Sequence, residues 1–157
     1  MIRSVLFVCL GNICRSPSAE GVCRDLAEAR GLTLTLDSAG TGDWHVGKPP
    51  YGPMQDAARA AGYDLSDLRA RQFDRADFDR FDLILAMDGS NLDDIEALRP
   101  DGNEAPVRLM LDYLPDQPVR DVPDPYYTRD FEGTLSLIHA ASEALLDQLA
   151  GVSGQSR

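Results

Sequence analysis

The sequence predicts an α/β protein, a single domain of three layers with a parallel sheet between helices. Three observations lead there. Val5-Leu6-Phe7-Val8 and Leu83-Ile84-Leu85-Ala86-Met87 are continuous apolar runs, the pattern of strands buried on both faces. Segments with helical spacing alternate with the strands, and such alternation builds a parallel sheet through right-handed crossovers. The chain has 157 residues, the size of one domain, and can bury a core without disulfides or metal.

The elements follow in order. After the first strand, Ser16-Pro17 reads as a helix start, with Ser16 as N-cap and Pro17 at the first helical position. Ala19, Val22, Cys23, Leu26 and Ala27 keep helical spacing until Gly31, which places Cys23 in the core. Leu32-Thr33-Leu34-Thr35-Leu36 alternates strictly, as a strand at a sheet edge does. Residues 51–62 read as a helix ending at Gly62. Ser90 is expected to cap the helix after the 83–87 strand, with Asp93 in capping-box position. Val107–Leu111 is a fourth strand. Phe131, Leu135, Ile138, Leu145 and Leu149 mark a long last helix. The domain is expected over residues 1–150, with 151–157 a frayed tail. Leu114–Thr128, with Pro115, Pro118, Pro123 and Pro125, is a long irregular stretch, and such loops are more often functional than idle.

The net charge of -11 argues against nucleic acid, which requires a basic footprint. The charge is unevenly spread. Residues 1–30 hold Arg3, Arg15, Arg24 and Arg30 against Glu20, Asp25 and Glu28, a net +1, so the rest of the chain carries -12. The apolar run at Val5–Cys9 is too short for a signal-peptide core or a membrane span, so a cytoplasmic protein without membrane contact is expected. The three cysteines, Cys9, Cys14 and Cys23, fit reduced thiols better than a disulfide framework.

The chemistry concentrates in Cys9-Leu10-Gly11-Asn12-Ile13-Cys14-Arg15-Ser16, between the first strand and the first helix. Ligands of open α/β sheets bind at the carboxyl ends of strands, and a helix N-terminus offers unpaired N–H groups to an anion. Gly11 and Asn12 tolerate left-handed backbone, so the loop can curl its N–H groups inward. It is not a Walker A loop, since the second glycine and the Lys-Ser/Thr pair are missing. A helix N-terminus and an arginine beside a thiol favour the thiolate, the attacking form. Arg15 supplies a fork for two phosphate oxygens, and the Ser16 hydroxyl can donate to the sulfur. A buried strand-end thiol is the plain alternative for Cys9. Ester cleavage also needs an acid outside the loop. His45 and His139 lie near no suggestive motif. Asp121 and Asp124 in the proline-rich stretch are candidates that the residues alone do not separate, and either can be a turn-starting aspartate.

Cys9–Pro17 resembles the signature loop of the low-molecular-weight protein tyrosine phosphatases. The likeness continues through Ser38-Ala39-Gly40-Thr41, Trp44, Arg71-Gln72, Met87-Asp88-Gly89-Ser90-Asn91-Leu92 and Asp124-Pro125-Tyr126-Tyr127. It implies a flavodoxin-like, four-stranded sheet in the order 2-1-3-4. It assigns Cys9 as nucleophile, Arg15 as phosphate clamp and Asp124 as general acid and base. Leu10, Gly11, Asn12, Ile13, Cys14 and Ser16 would hold the phosphate, and Trp44, Tyr126 and Tyr127 would flank a flat ring, favouring phosphotyrosine over phosphoserine. It also implies a reversible Cys9–Cys14 disulfide, for which a packed Cys14 thiol is the alternative. Some members carry a histidine that helps hold the loop asparagine. Ser66–Gln72 has none, so Asn12 is expected to rely on Ser38 or the backbone.

The implied partners are phosphotyrosine proteins, with a tyrosine kinase as a candidate, and phosphate or another oxyanion in the loop; whether Tyr126 or Tyr127 is itself phosphorylated is left open by the sequence. No cofactor or metal is expected. Three other readings compete. An arsenate reductase of this fold needs a downstream cysteine pair, and none follows Cys23. A sugar-transport phosphocarrier needs neither Arg15 nor an Asp-Pro-Tyr acid. A non-catalytic phosphotyrosine-binding module should lack Cys9 or Asp124.

Overall fold

The structure, a computed structural model, describes residues 1–151. Four parallel strands, β1 (Ser4–Cys9), β2 (Thr35–Gly40), β3 (Leu83–Ala86) and β4 (Val107–Leu109), lie in the order β2-β1-β3-β4. This is the expected topology. The helices are α1 (Arg15–Ala29), α2 (Gly52–Ala60), α3 (Asp77–Arg80), α4 (Gly89–Glu96), α5 (Pro125–Thr128) and α6 (Phe131–Leu149). None among the described residues is long and apolar enough to cross a membrane.

Alternation along β1 divides the core. Val5, Phe7 and Cys9 face α1 and α6, packing with Ala19, Cys23, Ile138, Ala141 and Leu145. Leu6 and Val8 face the other way, onto Phe73, Phe78, Phe81, Ile84 and Ile95. Each face thus has its own helical layer, and β1, central and buried on both sides, reads as the continuous apolar run it is. Cys23 is fully buried, as expected.

Several boundaries differ from expectation, each for a local reason. The edge strand starts at Thr35 instead of Leu32. Gly31 adopts φ +70 and Leu32 N–H closes on Ala27 O, so residues 32–34 serve to leave the helix. Pairing begins where Thr35 N–H meets Arg3 O. Ser16 is not an N-cap. Helix α1 starts two residues earlier, with Cys14 at the cap position and no side-chain cap bond, because the Ser16 hydroxyl points into the loop. Helix α4 is capped by Asp88, whose carboxylate accepts from Asn91 N–H, and not by Ser90. The fourth strand ends at Leu109. Met110–Tyr113 forms a 3₁₀ turn there, with the Asp112 carboxylate accepting from Leu109 N–H. The irregular 114–128 stretch contains α5, capped by Asp124. Helix α3 was not expected. From position 152 onward, the anticipated tail lies outside the described residues.

The edge strand meets the loop after β1 at Gly40. A Cβ there would lie 2.7 Å from Leu10 O and 3.1 Å from Asn12 N. Both are backbone atoms that cannot swing aside. Gly40→Ala is expected to cost about 1–3 kcal/mol by overpacking, read as a lower urea midpoint. An unchanged midpoint would mean that loop and edge strand do not press on each other.

Candidate active site

Cys9 ends the central strand, so its side chain emerges at the carboxyl edge of the sheet. The chain turns back through Asn12, whose φ of 56 is left-handed, a conformation that asparagine tolerates better than most residues. The buried Asn12 amide holds the turn. Its Nδ2 donates to Ser16 Oγ at 2.8 Å and Ser38 Oγ at 2.9 Å, and its Oδ1 accepts from Arg71 N–H at 2.9 Å. Ser38 and the backbone therefore do hold Asn12, in a chain without the histidine. Asn12 N–H lies 3.3 Å from Cys9 Sγ, and Ser16 Oγ lies 3.0 Å from it.

Arg15 opens α1 and is 2 % exposed. Its Nη1 donates to Asp88 Oδ2 at 2.7 Å and to Val122 O at 2.9 Å, and its Nη2 lies 3.5 Å from Asp124 Oδ2. Burial works against the guanidinium's proton, but Cys9, Asp88 and Asp124 outweigh it and the net shift is upward. The fork is fixed in place and charged.

The same bonds bring a distant segment to the loop. Val122 N–H donates to Met87 O at 2.8 Å, and the Asp121 carboxylate accepts from Gly89 N–H at 3.0 Å. Asp121 is thereby turned onto the start of α4. Asp124 caps α5, accepting from Tyr126 N–H at 3.0 Å, with its other oxygen toward Arg15. A cleft of about 350 Å³ is lined by Cys9, Leu10, Gly11, Ile13, Cys14 and Arg15, with Asp124, Trp44, His45, Tyr126 and Tyr127 around them. Asn12 and Ser16 lie behind the loop and do not line it. Asp121 does not line it either.

The walls are aromatic and open. Trp44 is 65 % and Tyr127 73 % exposed. The Trp44 ring packs directly over Gly42, leaving no room there for a Cβ. Tyr126 sits between Tyr51 and Tyr127, with ring centroids 5.2 and 5.4 Å away. A buried charged base beneath exposed aromatic walls suits a flat ring carrying an anion.

A family model described as low molecular weight phosphotyrosine protein phosphatase matches residues 4–153. The chain belongs to this family. It is 46% identical over 145 residues to the low molecular weight protein-tyrosine-phosphatase YfkJ of Bacillus subtilis, covering 91% of this chain and 93% of that one. The crystal structure of YfkJ superposes with a TM-score of 0.90 at 43% identity, covering 98% of each chain. A protein tyrosine phosphatase from Entamoeba histolytica, solved with Hepes in its active site, gives 0.88 at 34% identity, over 94% of this chain and 97% of that one. A Drosophila arginine phosphatase gives 0.88 at 30% identity, over 99% and 100%.

The fold gives four further residues contacts around the loop, of which Asp88 and Arg71 lie within the motifs that carry the resemblance while His45 and Glu20 do not. His45 was set aside, yet it lines the cleft, and a Cβ on Gly11 would lie 3.1 Å from its Cδ2. Its position next to Trp44 was the available signal. Asp88 joins the α4 cap to Arg15, and no spacing announces that pairing across 73 residues. Arg71 holds Asn12 by its backbone while its side chain binds Asp37 and the fully buried Asp77. Glu20 accepts from Ser38 Oγ at 2.7 Å. Cys14 is buried, and burial, then Cys9 and Asp124, push its thiol up to about 12.

Burial also pushes the Glu20 carboxyl up, from 4.5 to about 6. The folded chain holds this proton more tightly than the unfolded chain does. The stability it contributes is therefore full below pH 4.5 and lost as pH rises through about 6. Comparing urea unfolding of wild type and Glu20→Gln across that window should show wild type losing about 2 kcal/mol relative to the variant. A pH-independent difference would show that folding leaves Glu20 unshifted.

Proposed function

We propose that the protein hydrolyses phosphotyrosine and small aryl phosphates through a cysteinyl-phosphate intermediate. The observation that carries this reading is the meeting of Cys9, Arg15 and Asp124 in one aromatic-walled cleft. Cys9 Sγ attacks phosphorus in line. The P–S bond forms as the P–O bond to the leaving group breaks, and Asp124 protonates the leaving oxygen. Asp124 then takes a proton from water as it attacks phosphorus, releasing phosphate and the Cys9 thiolate. Loop N–H groups and Arg15 stabilise the equatorial oxygens. A relative that holds Hepes, a sulfonate, in its active site supports an active site that accepts oxyanions.

Phosphate contacts come from Leu10, Gly11, Ile13 and Cys14 at the base of the cleft, with Asn12 and Ser16 holding the loop from behind, and ring contacts from Trp44, Tyr126 and Tyr127. Proteins bearing phosphotyrosine are the proposed partners, residues 1–150 the functional unit, and a reducing compartment, the cytoplasm, the setting in which Cys9, Cys14 and Cys23 stay free thiols. Two-electron oxidation of the Cys9 thiolate by a peroxide, giving a sulfenic acid and hydroxide, and condensation of that sulfenic acid with the Cys14 thiol, releasing water, would cap the nucleophile reversibly. Mass mapping after mild peroxide should find the Cys9–Cys14 link, and its absence would remove redox control from the account.

The governing test is hydrolysis of p-nitrophenyl phosphate in the presence of a chelator. Wild type should turn over, Cys9→Ser should not while still binding phosphate, and Asp124→Ala should be slower by roughly 10²–10⁴. No wild-type turnover would favour a binding module or phosphocarrier, and full activity in Asp124→Ala at every pH would remove the acid. Because one structural relative is an arginine phosphatase, phosphotyrosine, phosphoserine and phosphoarginine peptides should be compared. The aromatic walls predict preference for the first.

A further inference from the structure

Glu20 is a buried carboxylate that none of these steps uses. It lies on α1 one turn after Ser16 and is 9 % exposed. A continuous chain of hydrogen bonds connects it to the reacting sulfur. Ser38 Oγ donates to Glu20 Oε1 at 2.7 Å, Asn12 Nδ2 donates to Ser38 Oγ at 2.9 Å and to Ser16 Oγ at 2.8 Å, and Ser16 Oγ lies 3.0 Å from Cys9 Sγ.

We propose that Glu20 is a positioning residue for Cys9: its carboxylate sets the direction of the Ser38–Asn12–Ser16 chain and so aims the Ser16 hydroxyl proton at the sulfur. This rests on the phosphatase reading of Cys9.

The direction follows from donor and acceptor counts. An ionised carboxylate only accepts, so Ser38 commits its one proton to Glu20. Toward Asn12 it then offers lone pairs alone and must receive an Nδ2–H. Arg71 N–H on Asn12 Oδ1 enforces the same amide orientation from the other side. The second Nδ2–H goes to Ser16, whose own proton remains for Cys9 Sγ at 3.0 Å or Ala39 O at 3.3 Å. Aligned bonds of this kind polarise one another in a buried setting.

Protonating Glu20 removes the constraint. The carboxyl becomes a donor through one oxygen and a neutral, weaker acceptor through the other, so Ser38 is no longer obliged to donate toward it. Reversing the Asn12 amide in response would set its NH₂ against Arg71 N–H, donor to donor. The groups facing Glu20 are Ser38 and Asp37 on β2, Arg24 on α1 and Asp67 in the segment after α2. Burial is the largest influence. The Ser38 bond and Arg24 oppose it, while Asp37 and Asp67 add to it, and the result is about 6. The chain is therefore directed above that pH and loses direction as pH falls through it.

The test compares wild type, Glu20→Gln, Ser38→Ala and the double variant from about pH 5 to pH 8. One readout is kcat and KM for p-nitrophenyl phosphate. The other is the rate of Cys9 alkylation by iodoacetamide, resolved from Cys14 by fragment mass spectrometry. Wild type should show a step near pH 6 in both kcat and alkylation. Glu20→Gln keeps the shape but loses the charge-assisted acceptor. It should lose the step and lower kcat about 3- to 30-fold, with KM changed less than about twofold. Ser38→Ala should reproduce this with Glu20 intact, and the double variant should be no worse than either single one. Ser38→Ala also stands as the test should Glu20→Gln not fold. A step that persists in either variant, or costs that add in the double, would overturn the proposal. Alkylation needs no turnover. A wild type that shows the alkylation step yet hydrolyses nothing would sustain the chain and end the phosphatase reading.

Discussion

Everything at the site depends on one tight turn at Asn12. A loop that curls between a buried strand and a helix must put some residue in left-handed backbone, and here it is Asn12 at φ 56. That conformation is strained for any residue with a side chain. It persists because Asn12 is 2 % exposed and bonded through both ends of its amide to Ser16, Ser38 and the Arg71 backbone. With the turn held, Cys9 Sγ, Asn12 N–H and the Ser16 hydroxyl converge and Arg15 starts the helix beside them. A chain without the turn would still form a sheet. It would not gather these groups.

The turn has a cost elsewhere. An interior otherwise filled by Val, Leu, Ile and Phe also takes in Arg15, Glu20, Ser38, Asn91 and Asp77. Buried charges are tolerated only when paired and bonded. Arg15 meets that condition through Asp88, Val122 O and Asp124, and Asp77 through two nitrogens of Arg71 and one of Arg80. Glu20 meets it only in part, with Ser38 as its hydrogen-bonded partner. Its upward shift records that imbalance. Holding a thiol in a reactive geometry thus draws on stability.

The sheet was legible because its signal is local. Val5–Val8 and Leu83–Met87 are buried on both faces and say so in continuous apolar runs, while the strict alternation after Gly31 pointed to an edge strand although only Thr35 and Leu36 of that segment belong to it. Errors arose where a tertiary partner outbid local propensity. Ser16 has the sequence of an N-cap, but Cys9 and Asn12 claim its hydroxyl. Ser90 has the spacing of a capping box, but Asp88 is better placed and already oriented by Arg15. The Leu114–Thr128 stretch could be flagged as functional from its prolines. Its attachment through Val122 to Met87 could not, since a backbone bond between segments 35 residues apart leaves no mark on side-chain type. The family resemblance selected Asp124 over Asp121. In the fold Asp124 lines the cleft, whereas the Asp121 carboxylate accepts from Gly89 N–H.

The central claim is that phosphate passes through Cys9 at the base of the cleft. Rapid quenching during turnover of an aryl phosphate, followed by peptide mapping, addresses it directly. One phosphoryl group is expected on Cys9, formed at the rate of leaving-group release and absent in Cys9→Ser. Phosphate on any other residue, or release of the leaving group with no phosphorylated peptide under conditions that trap thiophosphate esters, would contradict it.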